Sequence, residues 1–168
     1  MHPADTLSNE HKVILGQLDS LEEEIRKILG GAPVSGAYFK DALDFFREFA
    51  DVFHHAKEER LLFPRMQERG VPGEGGPIGV MLAEHDEGRG YLKRVRDNLD
   101  AAVQNSPEAR ADVVAAASAY ISMLRNHIYK EDSILFRIAH MVLGPDDVAE
   151  LELKFAAVEA PQRFRTLV

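Results

Sequence analysis

Two segments of this sequence repeat a pattern of histidine and glutamate residues that can bind metal ions. The first runs from His54 to Phe63 and the second from His127 to Phe136; aligned, they share His, x, x, Lys, Glu, an acid, x, an aliphatic residue, Leu and Phe. In each, a histidine lies four residues before a glutamate, so a helix would place the imidazole and the carboxylate on one face, one turn apart. Two such pairs that face each other inside a helix bundle can hold a dinuclear metal centre.

Four long stretches with the periodicity of amphipathic helices must position these pairs. The breaks between them are rich in glycine and proline, and Ser106 before Pro107 is expected to cap a helix. We predict helices at about residues 6–29, 35–69, 78–104 and 107–142, with a short fifth helix at about residues 146–158. The short connections predict an all-α fold, an antiparallel up-down-up-down four-helix bundle with the fifth helix at its C-terminal end. We expect residues 1–168 to form one such domain.

Six polar residues occupy the apolar stripes of these helices and should face the bundle axis. They are His11, His54, Glu58, His85, His127 and Glu131. Each of the four long helices contributes at least one of them. An unpaired carboxylate or imidazole in an apolar core carries a large free-energy cost. We therefore expect one or two divalent metal ions to compensate for six such groups.

The donor types restrict the metal. Four histidines and two glutamates suit iron or manganese, less often zinc, and disfavour calcium and magnesium. The glutamates would bridge, because each carboxylate has two oxygens, and roughly two histidines per ion would leave coordination positions open for O2, NO, peroxide or water. His55 and Glu59 form another i,i+4 pair, one residue out of register with the stripe. We expect these two side chains to lie beside the ligands or at the surface.

The composition excludes several other classes of function. The formal net charge of −8 argues against nucleic acid or an anionic membrane as a partner. The absence of cysteine excludes disulfides, thiolate metal sites and iron–sulfur clusters, and it fits a cytoplasmic protein. No signal peptide is apparent, and no apolar run approaches the roughly 18 residues of a membrane span. Without a flavin, heme or nucleotide motif, sustained reduction would need an external electron donor. We expect a monomer or a weak dimer.

The ordered set of motifs resembles the hemerythrin-like (HHE cation-binding) family. The matching motifs are residues 54–64, residues 84–89, and His127 with Glu131, and the resemblance covers about residues 7–138. It implies an antiparallel four-helix bundle that holds a non-heme di-iron centre with a bridging oxo or hydroxo group. It also implies a role for each predicted ligand: His11, His54, His85 and His127 as terminal ligands, and Glu58 and Glu131 as bridges between the two iron ions.

Two features depart from the oxygen-carrying members of that family. Those proteins place a second histidine four residues after the first on helix 3, where this sequence has Arg89. Asp132 matches their helix 4 aspartate, but Glu131 precedes it. A more open or more reactive site is therefore expected, and reversible oxygen carriage is disfavoured. Iron-centre repair proteins of this branch carry an added N-terminal cysteine segment that this sequence lacks. A role in iron-centre repair is therefore disfavoured as well.

These observations predict a di-iron protein that binds or senses a small ligand, namely O2, NO or peroxide. One alternative is a di-iron oxidoreductase that consumes peroxide or NO, and another is an iron sensor or iron donor. A metal-free bundle with buried His–Glu pairs is the remaining alternative. It predicts that alanine at Glu58 or Glu131 changes no metal binding, whereas a metal centre predicts the loss of at least one ion.

Overall fold

A computed structural model describes residues 1–167, and every regular element in them is helical. The elements are α1 (Pro3–Leu29), α2 (residues 36–68), α3 (Pro77–Val103), α4 (residues 107–142), α5 (Pro145–Ala156) and a short 3₁₀ segment, Gln162–Leu167. Residues 1–167 contain no β-strand. The prediction of an all-α fold is therefore confirmed.

Capping residues explain where the helices begin. Ser35 and Ser106 precede α2 and α4, and the hydroxyl of each accepts a hydrogen bond from a backbone N–H three residues later, at 3.3 Å in both cases. The predicted N-cap at Ser106 is confirmed. α1 begins at Pro3 rather than near residue 6, because the His2 ring accepts the N–H of Ala4 at 3.2 Å. A proline in the first turn has no amide that needs a partner.

Parts of α2 and α4 are π-helical, so their backbone hydrogen bonds join residues five apart. These parts are Phe46–His55 and Glu58–Leu62 in α2, and Glu131–Leu135 in α4. These parts overlap the two repeated segments, residues 54–63 and 127–136, although His127 itself is α-helical. A π-helical turn holds more residues than the 3.6 of an α-helix, so neighbouring side chains differ less in direction and two adjacent ones can both face the interior. Such turns are rare and frequent at functional sites.

The buried apolar side chains form two clusters, with a polar layer between them along the helices. On α1 the larger cluster begins at Ile14 and the smaller one ends at Leu7, and His11 lies between these two residues. On α3 the order is the same, with Met81 in the smaller cluster, Val95 in the larger one and His85 between them. Apolar packing on both sides therefore holds the helices around the polar layer and limits the access of water to it.

Each of the four long helices packs against two others. α1 lies against α2 and α4, and α3 lies against the same two helices. At Gly88 of α3, an added Cβ atom would lie 2.9 Å from Met123 Cε and 3.3 Å from the Tyr120 ring. Gly88 therefore lets α3 and α4 pack closely next to the polar layer. Nothing lies within 4 Å of a Cβ atom added at Gly90, so packing gives no reason for that glycine.

α5 packs against α1 and α2 and covers the smaller apolar cluster. Its Leu151 and Phe155 are buried in that cluster. The Asp147 carboxylate accepts hydrogen bonds from the guanidinium groups of Arg65, at 2.7 Å, and Arg69, at 2.7 and 2.8 Å. Hydrogen bonds to both arginines hold the pKa of Asp147 well below its usual range. Among residues 1–167, no helix has the length and apolar character needed to cross a membrane.

Candidate metal centre

The six residues predicted as metal ligands lie together in the polar layer, and all six are buried. Two groups of four side chains can each offer ligand atoms that lie within 4.8 Å of one another. The first group is His11, His54, Glu58 and Glu131, and the second is His55, Glu58, His85 and His127. Glu58 belongs to both groups, as expected for a residue placed between two ions.

The Nε2 atoms of four histidines converge on the two glutamates. Glu131 Oε2 lies 3.2 Å from Nε2 of both His11 and His127, so this carboxylate contacts one histidine of each group. The two oxygens of Glu58 lie 3.4 Å from His54 Nε2 and 3.5 Å from His85 Nε2. Two atoms bound to one ion at about 2.1 Å and at right angles lie roughly 3 Å apart. The observed spacings are close to those of ligands that share an ion.

A carboxylate accepts a hydrogen bond from the Nδ1 atom of each of these four histidines. The pairs are His11–Asp132 at 2.9 Å, His54–Glu10 at 2.8 Å, His85–Glu59 at 2.7 Å and His127–Glu84 at 2.9 Å. With Nδ1 donating to a carboxylate, Nε2 is the ring atom that each histidine turns towards the centre, and it can bind a metal once it carries no proton. Partners of this kind fix the ring orientation of metal-bound histidines and raise their basicity.

These carboxylate contacts repeat between the two halves of the chain. Glu10 precedes His11 on α1, just as Glu84 precedes His85 on α3. Each of these glutamates holds the histidine of the following helix and also binds a lysine, Lys57 in the first half and Lys130 in the second. The pattern of apolar stripes did not reveal this role of Glu10 and Glu84. The repeated Glu-His dipeptide was the signal that could have revealed it.

Several buried polar atoms in the centre lack a protein partner. Within residues 1–167, both oxygens of Glu58, both oxygens of Glu131 and the Nε2 atom of His11 have no hydrogen-bond partner. Nε2 of His85 and Nε2 of His127 lie 3.1 Å apart, although the Nδ1 protons of both rings are already donated elsewhere. Buried groups of this kind are costly unless something satisfies them, and metal ions bound to carboxylate and imidazole donors would do so. The residues present therefore fit a metal centre.

The pKa values of the buried groups show how the site holds charge and protons without a metal. Burial and the negative charge of Glu131 raise the pKa of Glu58 well above its usual range. Burial acts on Glu131 in the same direction, but the positive charges of His127 and His11 outweigh it and hold its pKa well below the usual range. Burial opposes charge on His11, but the neighbouring carboxylates of Asp132 and Glu131 outweigh it and raise its pKa to about 9.

The structure places His55 inside the polar layer. From its register, we expected His55 either beside the ligands or at the surface. The expectation of a surface position is wrong, because His55 is buried and its ring stacks on His85 with 3.8 Å between the ring centroids. Burial, with repulsion from His85, lowers its pKa to about 3, so its imidazole is neutral at physiological pH. The π-helical turn explains the difference, because it lets His54 and His55 both face inwards. Glu59 lies outside both donor groups, where it accepts the hydrogen bond from His85.

Arg89 occupies the position where oxygen-carrying members of the family have a second histidine on helix 3, and it lies outside both donor groups. Its guanidinium group donates hydrogen bonds to Asp51, at 2.7 and 2.9 Å, and to Glu59, at 2.7 Å. Asp51 in turn lies 3.5 Å from Nδ1 of His55. Arg89 therefore ties together the two carboxylates that lie next to His55 and His85.

A helical fold that gathers five histidines and two glutamates into two overlapping donor groups defines a class of non-heme metal-binding proteins. The hemerythrin HHE cation-binding domain model matches residues 2–139, so the chain belongs to this family. The resemblance inferred from the motifs is thereby confirmed.

Several curated proteins are similar to this chain over most of its length. "Uncharacterized protein Rv1995" of Mycobacterium tuberculosis is 26% identical over 151 residues, which cover 90% of this chain and 58% of that protein. "Iron-sulfur cluster repair protein YtfE" of Dickeya chrysanthemi is 27% identical over 139 residues, which cover 81% and 62%. The protein of the same name from Yersinia pseudotuberculosis is 29% identical over 136 residues, which cover 76% and 58%. The chain therefore spans about three fifths of the length of these relatives. No solved structure matches it.

Proposed function

We propose that this protein is a non-heme di-iron protein that binds or senses O2, NO or peroxide at a carboxylate-bridged centre of two iron ions. The position of Glu58 carries the proposal. Its buried carboxylate belongs to both donor groups, and neither oxygen has a hydrogen-bond partner within residues 1–167. The donor set also suits manganese or zinc. The family, and relatives whose name refers to iron–sulfur cluster repair, favour iron.

The two donor groups differ in their number of histidines. We assign His11 and His54 to one ion, and His55, His85 and His127 to the other. Glu58, which belongs to both groups, and Glu131, which contacts His11 and His127, would be the bridging ligands. Fewer protein ligands at the first ion leave it a position for a small exogenous ligand. When bound, the two iron ions supply redox electrons and the open coordination position for O2, NO or peroxide. The protein's carboxylates hold the histidine rings in place, and the apolar clusters on both sides limit water.

We also propose the antiparallel up-down-up-down topology for the four long helices, within one domain. On α3 and α4, Arg94 contacts Asp112 whereas the earlier His85 contacts the later His127, so the chain numbers run in opposite directions. On α1 and α4, Ser8 contacts Asp132 at 2.8 Å whereas the later Asp19 contacts the earlier Arg125 at 2.7 Å. These cross-helix pairs support opposite directions for neighbouring helices.

Iron donation is the second candidate function. The similarity to proteins named for iron–sulfur cluster repair favours it. It predicts that ferrous ions transfer quickly to a chelator or an apo acceptor protein. A binding or sensing protein would retain its ions while the small ligand exchanges. An oxidoreductase that consumes peroxide or NO could use the same centre, but it would need an external electron donor.

The experiment that tests the proposal combines metal analysis with absorption spectroscopy. Protein purified from iron-replete cells is expected to hold about two irons per chain, the number that a carboxylate bundle centre of this kind binds. The reduced protein is then exposed separately to O2, NO and peroxide, and the absorption bands are followed. Bands that form and reverse with one ligand support binding or sensing, and continued consumption of peroxide or NO supports an oxidoreductase. Protein without metal, or with zinc that resists exchange, contradicts the proposal.

Replacing His55 tests the assignment of three histidines to one ion. The matching position in the second half of the repeat is Ile128, so His55→Ile introduces a side chain that the fold already accommodates there. We expect at least a tenfold weaker affinity for one of the two ions and little change for the other, since even the loss of a residue that supports a ligand costs about 10–100-fold. Stepwise titration with metal, monitored by calorimetry, measures the affinity of each of the two sites. His140→Ile, at an exposed histidine outside both groups, is the matched control. Equal affinities in wild type and His55→Ile would exclude His55 as a ligand.

Metal binding to the metal-free protein is expected to release protons at pH 7. The pKa of His11 is raised to about 9, so its Nε2 is protonated at pH 7 and must lose that proton to become a ligand. The apparent affinity for the metal ion should therefore rise as the pH increases from 7 to 9. Above that range, His11 should release no proton when the metal binds. Calorimetric titration with zinc in two buffers of different ionisation enthalpy counts the protons. No proton release at pH 7 would contradict a protonated His11 in the metal-free protein.

A further inference from the structure

A groove of about 710 Å³ lies between α2 and α3, outside the metal centre. It is lined from Lys40 to Asp51 on α2 and from Arg89 to Asp100 on α3. Each span covers eleven steps of a helix, which correspond to a length of about 16 Å at 1.5 Å per residue. A volume of this size is typical of sites for small organic molecules, which range over about 300–1,000 Å³. None of the metal donor atoms lines the groove, so its occupant does not depend on the proposed function.

The groove is unusually basic for an acidic chain. Its five cationic side chains outnumber its three carboxylates, while the whole chain carries a formal net charge of −8. The cations are Lys40, Arg47, Arg89, Lys93 and Arg96. Arg47, Arg89 and Lys93 are paired with acidic neighbours at 2.9 Å or less. Lys40 makes no ion pair within residues 1–167, and Arg96 makes only a 3.7 Å contact with Asp97. Asp100 is the one lining carboxylate without an ion pair in that part of the chain, and Lys40 and Arg96 are the lining cations that neighbouring carboxylates neutralise least.

Apolar side chains lie between these charges. Leu43 of α2 and Leu92 and Leu99 of α3 line the groove, so its middle can bury a hydrocarbon or ring surface. A lining of this kind, with apolar contacts and a few charged groups that fix orientation, is the usual composition of a small-molecule site. An inorganic anion would use the cations but would leave the partly exposed Leu43 and Leu92 in contact with water.

We propose that the groove between α2 and α3 binds an elongated organic anion. Its apolar body lies along Leu43, Leu92 and Leu99, and its acidic group is held by the cations of the rim, of which Lys40 and Arg96 are the least neutralised. Either a carboxylate or a phosphate ester can supply this chemistry.

Binding of 1-anilinonaphthalene-8-sulfonate, an apolar ring system with one sulfonate, tests the proposal. Fluorescence titration of the full chain is expected to give one saturable site. The double variant Lys40→Glu/Arg96→Glu should raise the Kd roughly tenfold, because two favourable charges become repulsive. Lys12→Glu/Arg137→Glu makes the same change in net charge at exposed residues outside the groove and should leave the Kd within about twofold of wild type. Circular dichroism checks that all the variants are folded.

Competition then identifies the acidic group. Displacement of the probe by dodecanoate supports a carboxylate ligand, and displacement by flavin mononucleotide supports a phosphate ester. Displacement by inorganic phosphate at similar concentrations would overturn the proposal, because it would indicate a simple anion patch. Equal weakening in both double variants, or no saturable binding, would overturn it as well. Since the titration uses metal-free protein, these outcomes are separate from those of the metal experiments.

Discussion

The variant Glu58→Met is expected to lose metal from both donor groups and, without metal, to be more stable than the wild type. Glu58 is the residue that the two groups share, so its removal takes a ligand from each ion. In the metal-free protein its carboxylate has no exposed surface and no hydrogen-bond partner within residues 1–167. Burial and the charge of Glu131 raise the pKa of Glu58, so this carboxyl group is an unsatisfied buried polar group, and replacing it with an apolar side chain of similar size should remove a cost of about 1–3 kcal/mol. The metal site and the fold therefore place opposite demands on this position.

Two measurements check this expectation. Metal analysis after loading with ferrous ion or zinc should show wild-type protein with about two ions per chain and Glu58→Met with less than about one. Urea unfolding of the metal-free proteins should give the variant the higher free energy of unfolding. Glu48→Met, at a glutamate of the same helix that binds Arg47 and lies outside both donor groups, is the matched control and should retain the metal. Wild-type metal content in Glu58→Met would exclude a shared bridging ligand.

The sequence predicted the ligand positions because helical spacing depends only on local geometry. His54 with Glu58, and His127 with Glu131, lie four residues apart on helices whose apolar stripes are regular, and the structure brings these pairs together with His11 and His85. The role of these residues as ligands stays a prediction. What the sequence did not reveal is His55. Its register was judged with a period of 3.6 residues, whereas the helix is π-helical at that position.

The carboxylates that hold the histidine rings could not be derived from periodicity, because they depend on contacts between helices. Asp132 illustrates this: its spacing from His127 suggested a comparison with a ligand, but its Oδ1 atom accepts the hydrogen bond from Nδ1 of His11 on α1. Which of two neighbouring acids, Glu131 or Asp132, enters the centre depends on the rotation of α4. The apolar stripe placed Glu131 in the centre, but the contact of Asp132 with His11 depends on how α1 and α4 pack against each other.

Lys57 is the second position where a large effect is expected. Its side chain is only 2% exposed, and its ammonium group binds the Glu10 carboxylate and lies 3.6 Å from the centre of the Phe53 ring. Burial lowers the pKa of Lys57 and raises that of Glu10, and the contact between the two groups opposes both shifts. Glu10 also holds the His54 ring at 2.8 Å. Lys57→Met would leave this carboxylate buried with His54 as its remaining partner.

Loss of one partner from a buried ion pair costs about 3–5 kcal/mol, and we expect this decrease in the free energy of unfolding for metal-free Lys57→Met. The repeat supplies a matched control, because Lys130 binds Glu84 in the same way but its side chain is 35% exposed. Water can replace that ammonium group, so Lys130→Met should cost less than about 1 kcal/mol. Urea unfolding measures both variants.

Replacing both partners, as in Glu10→Met/Lys57→Met, should restore most of the loss, since no unpaired charge then remains. Similar losses in Lys57→Met and Lys130→Met would show that burial does not determine the strength of these pairs. No recovery in the double variant would show instead that Glu10 stabilises the protein chiefly through His54.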